Sequence, residues 1–153
     1  MILSEDEARE RAIDVLVSSF GKLIRVPIKM VAICRAHNIR VWERPLRDVD
    51  SLAFRDRDGS LGIVINCTVF HVRRHFSFAH ELGHIFCDHI FLEPPDYYTY
   101  RQMERVANSF AAELMMPSKL ATYQTWTVGE LAKACGVSYS AAKNRLEEWG
   151  LTG

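Results

Sequence analysis

Neither sign of charge dominates this chain: Lys+Arg 19 and Asp+Glu 19 cancel to a formal net charge of +0 over 153 residues. That balance removes any bulk electrostatic pull toward nucleic acid or an anionic membrane, so a nucleic-acid binder would need a local basic face. Long hydrophobic runs are missing too. No apolar segment approaches the roughly 18 residues that span a bilayer. The opening "MILSEDEARERAIDVL" is acidic and amphipathic, unlike a secretory signal. Cysteine is sparse: Cys34, Cys67, Cys87 and Cys135 are scattered, with no CxxC pair. This excludes a dense disulfide framework and predicts free thiols in a reducing, cytoplasmic compartment, most of them acting as small buried hydrophobes. No repeat or low-complexity stretch interrupts the chain. Its length and its 48% hydrophobic and 25% charged residues fit one globular domain over 1–153.

Local patterns predict an α+β fold. Ser4 and Glu7 form a capping box before Ala8, Ala12, Ile13, Leu16, Val17 and Phe20, which recur at helical spacing until Gly21. Pro27 suits the first turn of a second helix carrying Met30, Val31, Ile33 and Cys34. "IRVWE" alternates as a strand, and "SLAFRDRDGSLGIVINC" reads as a hairpin around a "DRDG" turn. Residues 1–72 therefore form N-terminal helices and a small antiparallel sheet. Helical patterns then run from about Arg73 to His89 and from Tyr100 to Met116, filling a second stretch, 73–117. The remainder, 118–153, holds two short helical pieces, Val128 to Cys135 and Ser138 to Trp149, led by a capping box of Thr127 and Glu130 and joined at Gly136.

The chemistry concentrates in "FSFAHELGHIFCDH", residues 76–89. His80 and His84, four apart on a helix, present imidazoles that converge on one ion, while Glu81 is turned about 100° aside, beside the ion rather than on it. An ion held by neutral imidazoles keeps its full charge and acidifies water, and a neighbouring carboxylate takes the proton. Gly83 lets another segment approach closely. A catalytic site of this kind typically has a third protein ligand. Cys87 lies about 10 Å along the helix from His80, too far for a short thiol to share the ion. His89 points elsewhere on an extended helix, His71 and His75 precede the motif, and Glu93 and Asp96 lie in a proline-rich loop. On the next helix Glu104, Ala107, Asn108 and Ala111 share one face, so Glu104 completes a His-His-Glu set and Asn108 is placed to fix an imidazole tautomer. Glu113, the other carboxylate, is expected on the solvent side.

With both motifs in hand, the chain resembles the ImmA/IrrE family of zinc-dependent metallo-endopeptidases. The resemblance rests on "FSFAHELGHIF" and "ERVANSFAAELMMP" and extends weakly to "GIVINC" and "LAKACGVSYSAAKNRLEEWGL". It implies a gluzincin-like minimal metallopeptidase domain with His80, His84 and Glu104 as ligands of one zinc ion and Glu81 as the catalytic residue. His75 departs from the family pattern, in which a basic or amide side chain often stands there. The resemblance also implies a protein substrate, a helix-turn-helix repressor whose cleavage relieves repression of stress-response or mobile-element genes. Tyr97, Tyr98, Tyr100 and His75 are candidates for oxyanion or substrate contacts, with packing at a loop–helix junction as their ordinary alternative.

The tail resembles a helix-turn-helix, which raises the rival of a DNA-binding or protein-binding regulatory module that retains a metal site without proteolysis. Lys133, Lys143 and Arg145 are offset by Glu130, Glu147 and Glu148, so no basic stripe forms to meet phosphates. The tail is expected to pack on the catalytic part instead.

Overall fold

The computed structural model describes residues 2–90 and 93–151. Its first helix, α1 (Glu5–Phe20), starts where the sequence caps it: Ser4 Oγ accepts from the Glu7 amide while the Glu7 carboxylate accepts from the Ser4 amide. Helix α2 (Met30–Ala36) begins after Pro27 rather than on it, with Lys29 at its N-cap. Asn38 takes a positive φ of 57° and turns the chain into β1 (Ile39–Arg44).

Strands β2 (Ser51–Arg55) and β3 (Leu61–Asn66) form the expected hairpin, antiparallel from Ser51↔Ile65 to Arg55↔Leu61. Gly59, at φ 86°, makes the turn between them. The expected all-antiparallel sheet is corrected at β1. That strand lies on the other side of β3 and runs parallel to it, giving the order β1-β3-β2 in a mixed sheet. The crossover from β1 to β2 makes this possible, and Asn66 fixes it. Its amide donates to the carbonyls of Leu46 and Val49, and its oxygen accepts from the Leu46 and Thr68 amides. A buried amide with this many partners ties segment 45–50 beside the end of β3.

Ile63 and Ile65 of β3 pack into a core shared with Leu16, Leu82, Phe110 and Leu114. Helix α3 (His71–Phe86) starts slightly before its expected position and stops before His89; helix α4 (Tyr97–Met115) starts at the Asp96 N-cap, whose carboxylate accepts from the Thr99 amide at 2.8 Å. The two helices cross closely at Gly83 and Ala107. A Cβ on Gly83 would stand 2.9 Å from the Ala107 carbonyl oxygen and 3.0 Å from its Cα, so only glycine permits this approach.

A three-ten turn (Ser118–Thr122) leads to α5 (Val128–Cys135) and α6 (Tyr139–Glu148). The Thr127–Glu130 capping box forms, Gly136 turns the chain with φ 68°, and Ser138 caps α6. Leu131, Cys135, Ala142 and Leu146 are buried in the shared core, so the tail packs as expected. The expectation for Glu113 is overturned. It is 2% exposed, and its carboxylate accepts from Arg145 at 2.8 Å and from the Ser118 amide and hydroxyl at 2.6 Å each. Arg145, equally buried, also donates to the Met116 carbonyl. A buried charge of this kind persists only when paired, and the pair clamps α6 to the end of α4.

Candidate metal centre

His80 and His84 stand four positions apart on α3, and their Nε2 atoms come within 3.0 Å of each other. From α4, Glu104 brings one carboxylate oxygen to 2.8 Å from His80 Nε2 and the other to 3.3 Å from His84 Nε2. Ligands at three corners of a tetrahedron, each about 2 Å from its centre, would stand about 3.3 Å apart. The observed spacings fit one ion among these atoms.

The outer nitrogens reinforce that fit. His80 Nδ1 lies 2.8 Å from Asn108 Oδ1, so it must donate there, which leaves its Nε2 as a lone pair. His84 Nδ1 lies 2.9 Å from His89 Nδ1, and the matching tautomer has His84 donating and His89 accepting. Two lone pairs and a carboxylate then face one another, an arrangement that needs a cation or protons to hold it together. With protons, burial lowers the affinity of His80, but the hydrogen bond and charge of Glu104 outweigh it and raise the His80 pKa above its usual value. Glu104 is pushed well below the ordinary carboxylate range by hydrogen bonds from His80 and His84.

Two carboxylates approach the imidazoles, and they differ. Glu104 touches both rings, whereas Glu81 offers an oxygen within 4.8 Å of the His80 and His84 nitrogens. The closer contacts mark Glu104 as the ligand candidate and leave Glu81 beside the cluster. Glu81 is 7% exposed, and burial raises its pKa against the lowering effect of His84, His80 and a hydrogen bond from Ser51. A carboxylate with raised proton affinity next to an ion-sized cluster is equipped to accept a proton.

The cluster opens into a cleft of about 540 Å³ whose far wall is Asp48, Val49 and Asp50, the segment tied down by Asn66. Tyr100 lines the same cleft, and the negative charge of Glu104 raises its pKa. The other expected contacts do not reach it. Tyr98 is 84% exposed, and Tyr97 stacks under the Arg101 guanidinium at 5.9 Å, both at the outer edge of the first turn of α4. His75 lies on the opposite side of α3, next to Gly136, because five residues before His80 the helix has rotated away. Cys87 is buried at the end of α3 and Glu93 lies outside the cleft, as their positions in the sequence suggested. His89 departs from its expected direction. It is buried against His84 because α3 ends at Phe86 and Asp88, at φ 60°, turns the chain back.

Among solved structures, a Mycobacterium tuberculosis transcriptional regulator superposes with a TM-score of 0.68 at 15% sequence identity, covering 92% of this chain and 46% of that one. At that identity the likeness concerns the fold, and this chain spans about half of the regulator's length. No curated protein matches the chain. The model of the IrrE N-terminal-like domain, Peptidase_M78, matches residues 34–147, a span that includes the sheet and both helices of the His-His-Glu cluster. The chain belongs to this family, which is of metallopeptidase type.

Proposed function

We propose that the protein is a zinc-dependent endopeptidase that cuts a specific protein, a helix-turn-helix repressor, and so relieves repression of stress-response or mobile-element genes. The observation that carries this reading is the convergence of His80, His84 and Glu104 at 2.8–3.3 Å with a buried Glu81 alongside. A divalent ion held by these three residues would supply Lewis acidity, lowering the pKa of water and polarising a carbonyl. Zinc suits two imidazoles and a carboxylate.

The chain's own residues do the rest. Asn108 and His89 hold the two imidazoles in the tautomer that turns Nε2 inward. Glu81 takes a proton from the attacking water and delivers it to the leaving amine. Its burial strengthens it as a base. Tyr100, on the cleft wall, is the candidate donor to the developing oxyanion. The substrate has a natural place along β2, the edge strand of the order β1-β3-β2, whose first residue Ser51 lines the same cleft as Glu81. The rival, a tail that binds DNA, draws no support from Arg145, which is buried in its ion pair rather than offered to phosphate.

Co-expression with a helix-turn-helix repressor as candidate substrate tests the reading, with the repressor's integrity followed by mass spectrometry. Glu81→Gln should retain stoichiometric metal and cut at least about a hundredfold more slowly. Equal cutting by wild type and Glu81→Gln would overturn the mechanism. Undiminished metal in Glu104→Ala would overturn the ligand set.

A further inference from the structure

The cleft at the cluster continues into a second cavity of about 540 Å³, between the start of α3, the end of α4 and the α5–α6 turn. Its lining is almost wholly apolar: Phe70, Val72, Phe76, Met115, Val137 and Ala141. Arg73 and Phe76 belong to both cavities, so they form one continuous surface. At that seam the Phe76 ring lies 5.8 Å from His80, and Arg73 is turned aside by Asp50, to which it donates at 2.8 Å. Phe70 is 68% exposed on the rim, its ring 4.3 Å from that of His71.

We propose that this groove is a specificity pocket that takes a bulky apolar side chain of the polypeptide cut at His80, His84 and Glu104. The proposal rests on the endopeptidase reading. At the seam the Arg73 guanidinium is paired with Asp50, so a chain leaving the cleft toward the groove meets an apolar path along α3. From His80 back to Val72 the helix rises about 12 Å. An extended peptide covers that distance in about four residues. The favoured side chain therefore lies within about four residues of the scissile bond, and Leu, Met or Phe fit the lining. This gives the helical tail a role: Val137 and Ala141 build one wall of the pocket, and the Glu113–Arg145 pair holds that wall against α4.

A random library of internally quenched peptides, cut by the zinc-loaded protein and sequenced by mass spectrometry, tests this. Wild type should enrich Leu, Met or Phe over Ala at one position within about four residues of the cut. Ala141→Trp, which fills the groove, and Phe70→Ser, a surface change that spares the core, should each lower that ratio about tenfold. Zinc content and thermal unfolding of each variant establish that it is folded. Unaltered preference in both folded variants would overturn the pocket while leaving the endopeptidase reading intact. No cutting by wild type would overturn that reading and the pocket with it.

Discussion

His84 owes its orientation to a residue five positions further on. Read as part of a continuous helix, His89 would project away from His84, which is why sequence periodicity misplaces it. The helix stops at Phe86, Asp88 adopts φ 60°, and the His89 amide returns to the His84 carbonyl at 2.7 Å. A left-handed aspartate carries little signal in a single sequence, so this contact was not legible there. His89 is 6% exposed, and burial, with the charge of His84 adding to it, brings its pKa down to about 4. It is therefore neutral at neutral pH and can keep accepting from His84 Nδ1, although its own Nε2 is buried without a partner among the described residues. Replacing His89 by Leu should weaken metal binding about 10–100-fold, the usual cost of losing an outer hydrogen bond on a liganding imidazole. Asn in its place supplies an acceptor oxygen and should recover most of that loss. Competition against a chelator of known affinity measures both. Equal losses for Leu and Asn would mean that His89 serves only to pack.

The crossing of α3 and α4 is the element on which the cluster depends, since it alone brings Glu104 to the histidines. Gly83 and the small-residue stripe of Glu104, Ala107, Asn108 and Ala111 made that crossing legible in sequence, because close helix packing requires small side chains at the contact. Less legible were pairings set by distant segments. The parallel placement of β1 depends on a crossover pinned by Asn66, and the burial of Glu113 depends on Arg145, a partner 32 residues away. Both follow from tertiary contact rather than local pattern. Two effects compete in Gly83→Ala. Alanine gains about 1 kcal/mol of helix propensity, but its Cβ would meet backbone atoms of Ala107 at 2.9 and 3.0 Å, which cannot rotate aside. Overpacking of that kind costs about 1–3 kcal/mol, so the clash should win and the helices should separate. Gly83→Ala is thus expected to lose metal affinity and to melt lower than wild type. A variant that melts higher with unchanged affinity would show that the crossing tolerates a methyl group.

Across the molecule, the scattered cysteines report how completely the core closes. Cys34, Cys87 and Cys135 are buried in three different places, in α2, at the end of α3 and in α5, whereas Cys67 is exposed beyond β3. Their role as small hydrophobes was readable from the sequence; which one reaches the surface was not, because that depends on where β3 ends. Burial pushes the thiols of Cys34 and Cys135 up to about 12 and that of Cys87 up to about 11, from an ordinary value of 9.0. The sign of the linkage follows directly. Between those limits the unfolded chain loses protons that the folded chain keeps, so stability is fully present below about pH 9 and falls as pH rises toward 11 or 12. Each buried thiol contributes a slope of about 1.4 kcal/mol per pH unit within that window. The urea midpoint should accordingly drop between pH 8 and pH 10, and replacing Cys34 and Cys135 by Ala should flatten that drop even though the variant starts from lower stability. A chromogenic thiol reagent offers a second measurement at pH 8: Cys67 should react at once and the other three only as fast as the protein unfolds. Rapid reaction of more than one thiol in the folded protein would mean that the core is open where the packing has it closed, and an equally steep pH dependence after both replacements would place the alkaline loss elsewhere.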